Sequence, residues 1–387
     1  MFKLYNTQED ISMKLTEFLV KTDPTIRKTQ LNIIPYIALG MIDAESSVAS
    51  DIAKKLKGDF SLVQFDSVTK RIRRLFNNKH FDPYYFFENI IKYVINNYKV
   101  KHSNNKIHII FDHMYSKENY TVFMFSLRVG KQGIPLLFRC FDGINNPNAF
   151  TDETIIQCIK IISSYFENTN FKLVFLADRW FNSFQILNTF SSLGHTYNIR
   201  VKGNIKVKIF DNVKKTYVYK YTSELSSNKY KGKYYSDVFL YENSSLKTKI
   251  TISKCDSIDE PWIIATNGNP NEAIRDYSHR FGGIECIFKN QKSNGFYIEN
   301  ICNANIKSFT SMFAIVCFST LFLTILGCEY SKNNSCYKKV KIETHKKYKN
   351  IKQRVISLFN TGLILFQRAY NSCIYIRIPF NFVLYDI

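Results

Sequence analysis

Apolar residues recur at helical spacing through roughly the first hundred positions, and the period changes beyond the polar spacer His102 to Lys106. Ile11, Leu15, Phe18 and Leu19 predict a helix from about Gln8 to Val20. Val48, Ile52 and Leu56 share the face of a second helix that Gly58 ends. A third, capped by Asp66 or Ser67, runs through Val68, Ile72, Leu75 and Phe76. Its other face carries Lys70, Arg71, Arg73 and Arg74, which suits a helix packed on its neighbour with cations turned to phosphates, as in helix-turn-helix modules. A solvated basic face is the competing reading.

Beyond the spacer, Ile107 to Phe111, Tyr120 to Val129 and Ile134 to Phe141 predict a three-stranded meander. A helix from Asp152 to Phe166, a strand from Leu173 to Ala177, a helix from about Ser183 to Leu193 and a strand near Tyr197 to Val201 follow. Strands leading into alternating helix and strand predict a mixed α/β sheet. From Lys202 to about Asn267 the alternation Thr216-Tyr217-Val218-Tyr219-Lys220-Tyr221 marks β structure of another character, read as an insertion. Helical patterning resumes at Asn271 and runs past Lys292. The last sixty residues open with the lysine-rich stretch Lys338 to Lys352 and are expected to form a helix through Ile351, Val355, Leu358 and Phe359.

Ser308 to Gly327 is nearly free of charge and long enough to cross a bilayer. Its Ser and Thr residues, six in all, its Asn-rich lead-in and the lack of a second such segment favour a buried core helix, and no membrane partner is expected. A net charge of +21, from 53 Lys and Arg against 32 Asp and Glu, exceeds what solubility needs and favours a polyanionic partner, nucleic acid first. The nine cysteines form no CxxC pair, which argues against a zinc site or a disulfide framework and fits a reducing cytoplasm. The charged N-terminal stretch does not read as a signal peptide.

Three acids stand out. Asp112 follows the strand Ile107 to Phe111, and Asp178 follows the strand Leu173 to Ala177. Neighbouring strands would bring both to the carboxyl edge of the sheet, where α/β folds bind ligands. An acid there is costly to desolvate unless it is exposed, paired or bound to a cation. The third is Glu285, seven residues before Lys292 and so on the same helical face.

The run Tyr277, Arg280, Glu285, Lys292 resembles the signature of the DDE transposases of bacterial insertion sequences, specifically the insertion sequence four type. That signature is a tyrosine, two residues, an arginine, three residues, a glutamate, six residues and a lysine. Here four residues separate Arg280 from Glu285, because Gly282 and Gly283 stand in tandem. One extra helical residue would turn Arg280 away by roughly 100°, unless the glycines form a bulge or the helix starts after them. IIFDHMYSKENY and FLADRWFNSFQIL are similar to the family's first and second Asp segments, so the resemblance covers roughly residues 40 to 330.

The resemblance implies a ribonuclease H-like mixed sheet flanked by helices, with a helical N-terminal DNA-binding domain over 1–104, catalytic core over 105–201 and 270–327, a β-rich insertion over 202–269 and a basic helical region over 328–387. It implies that Asp112, Asp178 and Glu285 hold two Mg²⁺ ions, with Mn²⁺ as substitute, for in-line displacement at phosphorus. The resemblance makes Tyr277, Arg280 and Lys292 phosphate contacts, with a core or helix-packing tyrosine the competing reading for Tyr277; Trp180, beside Asp178, offers by its own chemistry a flat platform for an unpaired base. The other tryptophan, Trp262, is expected to pack. The implied activity is cutting of transposon ends and transfer of the freed 3′-hydroxyls into target DNA by a cytoplasmic, nucleoid-associated enzyme, a homodimer on double-stranded DNA. The alternatives are a non-catalytic DNA-binding protein on the same scaffold, a nuclease without strand transfer, and a membrane-anchored basic protein.

Overall fold

The computed structural model describes residues 8–372 except 57–59, 61, 100–104, 118–119, 145, 212, 226–232, 242–244, 254–260, 302–304, 333–343, 347–351 and 355. Six helices open the chain: α1 (Gln8–Thr22), α2 (Lys28–Leu31), α3 (Ile34–Ala44), α4 (Ala49–Lys55), α5 (Phe65–Phe76) and α6 (Pro83–Asn96). α5 has the expected two faces: Val68, Ile72, Leu75 and Phe76 are buried, while Lys70, Arg71, Arg73 and Arg74 are exposed. It begins slightly earlier than expected, with Gln64 at its cap and no side-chain capping bond, so neither Asp66 nor Ser67 performs that task. α6 is started by Asp82, whose carboxylate accepts from the backbone N–H groups of Tyr84 and Tyr85, followed by Pro83 in the first turn.

The mixed region contains β1 (Lys106–Ser116), β2 (Tyr120–Val129), β3 (Gln132–Asp142), α7 (Asp152–Tyr165), β4 (Lys172–Ala177), α8 (Phe184–Ser192) and β5 (Thr196–Arg200). β1, β2 and β3 form the antiparallel meander, β4 lies parallel to β1, and β5 lies parallel to β4 through the crossover helix α8. The parallel strands read as apolar runs because helices cover both of their faces. On one face Phe190 of α8 packs on Phe111 and Phe175. Side chains alternate between the faces along a strand, so His108, Ile110 and Asp112 of β1 turn to the opposite face.

The chain then forms β6 (Lys206–Asp211), β7 (Thr216–Tyr221), α9 (Thr222–Leu225), β8 (Lys233–Leu240), β9 (Lys247–Ile252) and β10 (Ile263–Thr266). Far from standing apart, these strands continue the same sheet: β10 pairs antiparallel with β5, and the order is β3-β2-β1-β4-β5-β10-β9-β8-β6-β7. The molecule is therefore a mixed α/β fold around one ten-stranded sheet.

The expected single helical stretch after Asn271 is broken in two, α10 (Pro270–Ser278) and α11 (Ile284–Lys292). α12 (Ile306–Lys332) contains the apolar segment, and its most apolar window is wholly buried. Phe318 of α12 meets Phe18 of α1 and Phe86 of α6, and Phe313 meets Phe138 of β3. The long apolar helix is thus a mast joining the N-terminal helices to the sheet. Two short strands, β11 (Thr344–Lys346) and β12 (Lys352–Arg354), precede α13 (Leu358–Ser372). The last helix begins at Leu358, later than the apolar pattern suggested; Ile351 and Val355 lie outside the described residues, as does most of the lysine-rich stretch. α13 packs antiparallel on α12, and a Cβ on Gly362 would come within 1.9 Å of the Leu323 carbonyl oxygen, so the crossing requires glycine.

Candidate functional site

The register of β1 and β4 sets two of the acids side by side. Their last parallel pair is Ile110 with Leu176, and each chain continues two residues to its aspartate, Asp112 and Asp178. Parallel neighbours at equal register are separated by about one strand spacing, roughly 4.8 Å. Asp112 is not at a strand end, however: β1 runs on to Ser116, still paired with β2, and Asp112 faces Met124. What ends there is β4, and its end opens the space beside Asp112. Asp178 leaves its strand as the cap of a short 3-10 turn, its carboxylate accepting from the Arg179 N–H at 2.7 Å.

Glu285 arrives from α11 because the chain turns sharply at His279 to Gly283. Gly282 has φ +88°, and a Cβ on Gly283 would lie 2.3 Å from Ile110 Cδ1. One glycine supplies a left-handed backbone and the other lets the turn sit on β1. Arg128 of β2 ties the turn down, donating from Nη1 to the His279 carbonyl at 2.6 Å. The tandem glycines therefore end one helix and start another, and Arg280 is not rotated out of the site.

Arg280 is the centre of the arrangement. Its Nη2 bonds Asp112 Oδ2 and lies 3.8 Å from Asp178 Oδ2, while its Nη1 lies 3.6 Å from Glu285 Oε1. Its Nε is buried without a hydrogen-bond partner among the described residues. The Arg280 and Asp112 side chains are only 9% and 15% exposed, whereas Glu285 is 51% exposed, so the cluster has a dry floor and an open rim. Burial pushes the Asp112 carboxyl above its usual range, against the pull of Arg280. The guanidinium, which burial alone would weaken as a base, is held up by Asp112, Tyr277, Asp178 and Glu285. His113 donates its backbone N–H to Asp112 at 2.9 Å, and burial lowers its imidazole pKa.

The other expected contacts divide. Trp180 is 69% exposed beside Asp178, with Lys202 Nζ 4.7 Å from its ring centroid. Lys292 lies 3.2 Å from Glu299 Oε1. Tyr277 is buried, 1% exposed, with its ring against Trp262 and Phe281. It occupies the position of a packing tyrosine, because α10 turns that side chain onto the sheet rather than toward solvent. Trp262 stacks on Phe281, in line with the expectation that it packs. Lys70, Arg71, Arg73 and Arg74 lie on α5, which packs on α4 and α12 and not on the strands that carry the acids.

All three acids offer oxygen donors, the set a hard divalent cation prefers, and they converge from three distant segments. The room between them is filled by the Arg280 guanidinium, so a cation would need that side chain to withdraw. A second group, absent from the sequence reading, lies close by: His108, Asp276 and His279, whose ligand atoms all lie within 4.8 Å of one another. His108 shares the face of β1 with Asp112, and Asp276 and His279 are one helical turn apart; those two spacings were the only signal for it in the sequence. Comparison with known proteins finds no matching family model and no matching curated protein.

Proposed function

We propose that the chain is a DDE-type transposase that cuts the ends of a DNA element and joins the freed 3′-hydroxyls to target DNA. The observation that carries this reading is that three carboxylates from separate segments, Asp112, Asp178 and Glu285, surround one guanidinium at the open end of β4. A mixed sheet flanked by helices, with the acids beside the parallel strands, supports a ribonuclease H-like core. The charge of +21 and the exposed basic face of α5 support a DNA partner.

Asp112, Asp178 and Glu285 would hold the divalent ions, Mg²⁺ or Mn²⁺. Such ions, when bound, supply Lewis-acid polarisation of the phosphate and a more acidic attacking water or hydroxyl. The rest falls to the protein. Arg280 offsets one of the three crowded negative charges in the resting site and, once withdrawn from the carboxylates, presents a planar donor to a phosphate oxygen. Exposed Trp180 offers a flat face on which a base leaving the helix can stack, and Lys202 above it adds a cation. Two element ends call for two active sites, hence a homodimer on DNA.

One observation favours the second reading, a DNA-binding protein without catalysis: the Arg280 guanidinium already occupies the space between the acids, bonded to Asp112 and 3.8 Å from Asp178 Oδ2. The test is to incubate the protein with duplex spanning the borders of its coding region, with Mg²⁺, with Mn²⁺ and with EDTA. Transposase activity gives metal-dependent nicks at a fixed border position and joined products. Binding without nicks under every condition favours the second reading, and nicks without joined products favour a nuclease.

A further inference from the structure

His108, Asp276 and His279 form a cluster with a chemistry unlike that of the three acids. We propose that they are a second metal site, one that takes a borderline transition cation of the zinc class and clamps the end of α10 to β1. The donors are two imidazoles and a carboxylate, a set that suits such a cation and leaves a position for water. Their ligand atoms lie within 4.8 Å of one another, close enough that small side-chain adjustments bring all three to one ion.

Three further features favour a ligand there. Nε2 of His108 is buried and makes no hydrogen bond among the described residues, although Asp276 Oδ1 stands 3.4 Å away. At that distance the contact is an ion pair without hydrogen-bond alignment, which leaves the ring nitrogen only partly satisfied. The imidazoles of His108 and His279 meet edge to face with ring centroids 4.7 Å apart, which brings two ring nitrogens' worth of donor chemistry to one place. Asp276 is bonded through Oδ2 by Lys106, which fixes the carboxylate and leaves Oδ1 turned to the histidines.

The placement has a structural consequence. His279 directly precedes Arg280, and His108 lies four residues before Asp112 on the same face of β1. A cation here would fix the turn that delivers Arg280 and Glu285 against the strand that delivers Asp112. The site is independent of what the three acids do.

Co²⁺ is the probe, titrated into the full chain with excess Mg²⁺ to occupy oxygen-only sites. The proposal expects one equivalent to bind with visible d–d bands of an imidazole-containing, low-coordinate site and without thiolate charge transfer. His108→Gln and His279→Gln should each weaken that binding by more than the roughly tenfold that loss of an outer partner costs, while Glu285→Gln leaves it unchanged. Absence of the bands, or their survival in both histidine variants, overturns the proposal. X-ray absorption of the unmodified chain carrying one equivalent of Zn²⁺ needs no variant. Scattering from two imidazoles supports the site, and oxygen-only or sulfur coordination, or failure to bind, refutes it.

Discussion

Arg280 sits among three carboxylates in a mostly dry pocket, so its removal leaves buried negative charge without compensation. Arg280→Gln should destabilise the protein by roughly 3–5 kcal/mol, and added Mg²⁺ should recover part of that loss by taking the vacated space. Urea midpoints with and without Mg²⁺ measure both effects; a variant as stable as the parent, or indifferent to Mg²⁺, contradicts this account of the site. His279 gives a pH dependence whose sign follows from its depressed pKa. Between 6.5 and about 4 the unfolded chain takes up a proton that the folded protein refuses, so the contribution of His279 makes stability fall as pH is lowered through that window. Melting temperatures of the metal-free protein from pH 4 to 6.5 should rise, and His279→Gln should flatten the rise. Asp112 and Asp178 were legible in the sequence because each directly follows an apolar run, and Glu285 because it shares a helical face with Lys292. The role of Arg280 as the group that binds them together was not, since it depends on a turn whose direction no period encodes. Tyr277 stayed open between a phosphate contact and packing for a related reason: its spacing suits the first, and the direction of the helix, which packs it on Trp262, is not written in that spacing.

The turn between α10 and α11 and the crossing of α12 with α13 both depend on missing side chains. A methyl on Gly283 meets the end of the Ile110 side chain, which can shift, whereas a methyl on Gly362 meets the backbone of Leu323, which cannot do so cheaply. Gly362→Ala should therefore cost about 1–3 kcal/mol or more in chemical denaturation, and more than Gly283→Ala costs. Gly283→Ala should instead lower activity disproportionately, because it moves Arg280 and Glu285. On α5 the sequence pattern and the structure agree fully on which side is apolar. If its basic side meets DNA, replacing Lys70, Arg71, Arg73 and Arg74 by Gln should reduce the salt slope of binding by about one for each residue that touches a phosphate. An unchanged slope assigns those cations to solvent. The joining of β6 to β10 onto the main sheet was not legible, because alternation marks a strand but not its neighbour. The start of β1 was placed well and its end was not: Asp112 interrupts the apolar run while pairing with β2 continues to Ser116.

The whole molecule is arranged around two long features, a ten-stranded sheet and the buried helix α12, with the acids at the point where β4 stops. Composition alone had left Ser308 to Gly327 open to a membrane reading; its burial on all sides by α1, α3, α5, α6, β3 and α13 is a tertiary fact that hydropathy cannot supply. The net charge of +21 is a property of the whole sequence and favours a polyanionic partner without explaining chemistry. The proposed chemistry requires the carboxylates to act as one unit. The most direct measurement is single-turnover cleavage of the border duplex in Mg²⁺ by Asp112→Asn, Asp178→Asn and Glu285→Gln, each alongside its DNA affinity. The expected result is that every one of the three loses cutting while still binding the duplex. Undiminished cutting by any of them would contradict a shared three-carboxylate centre.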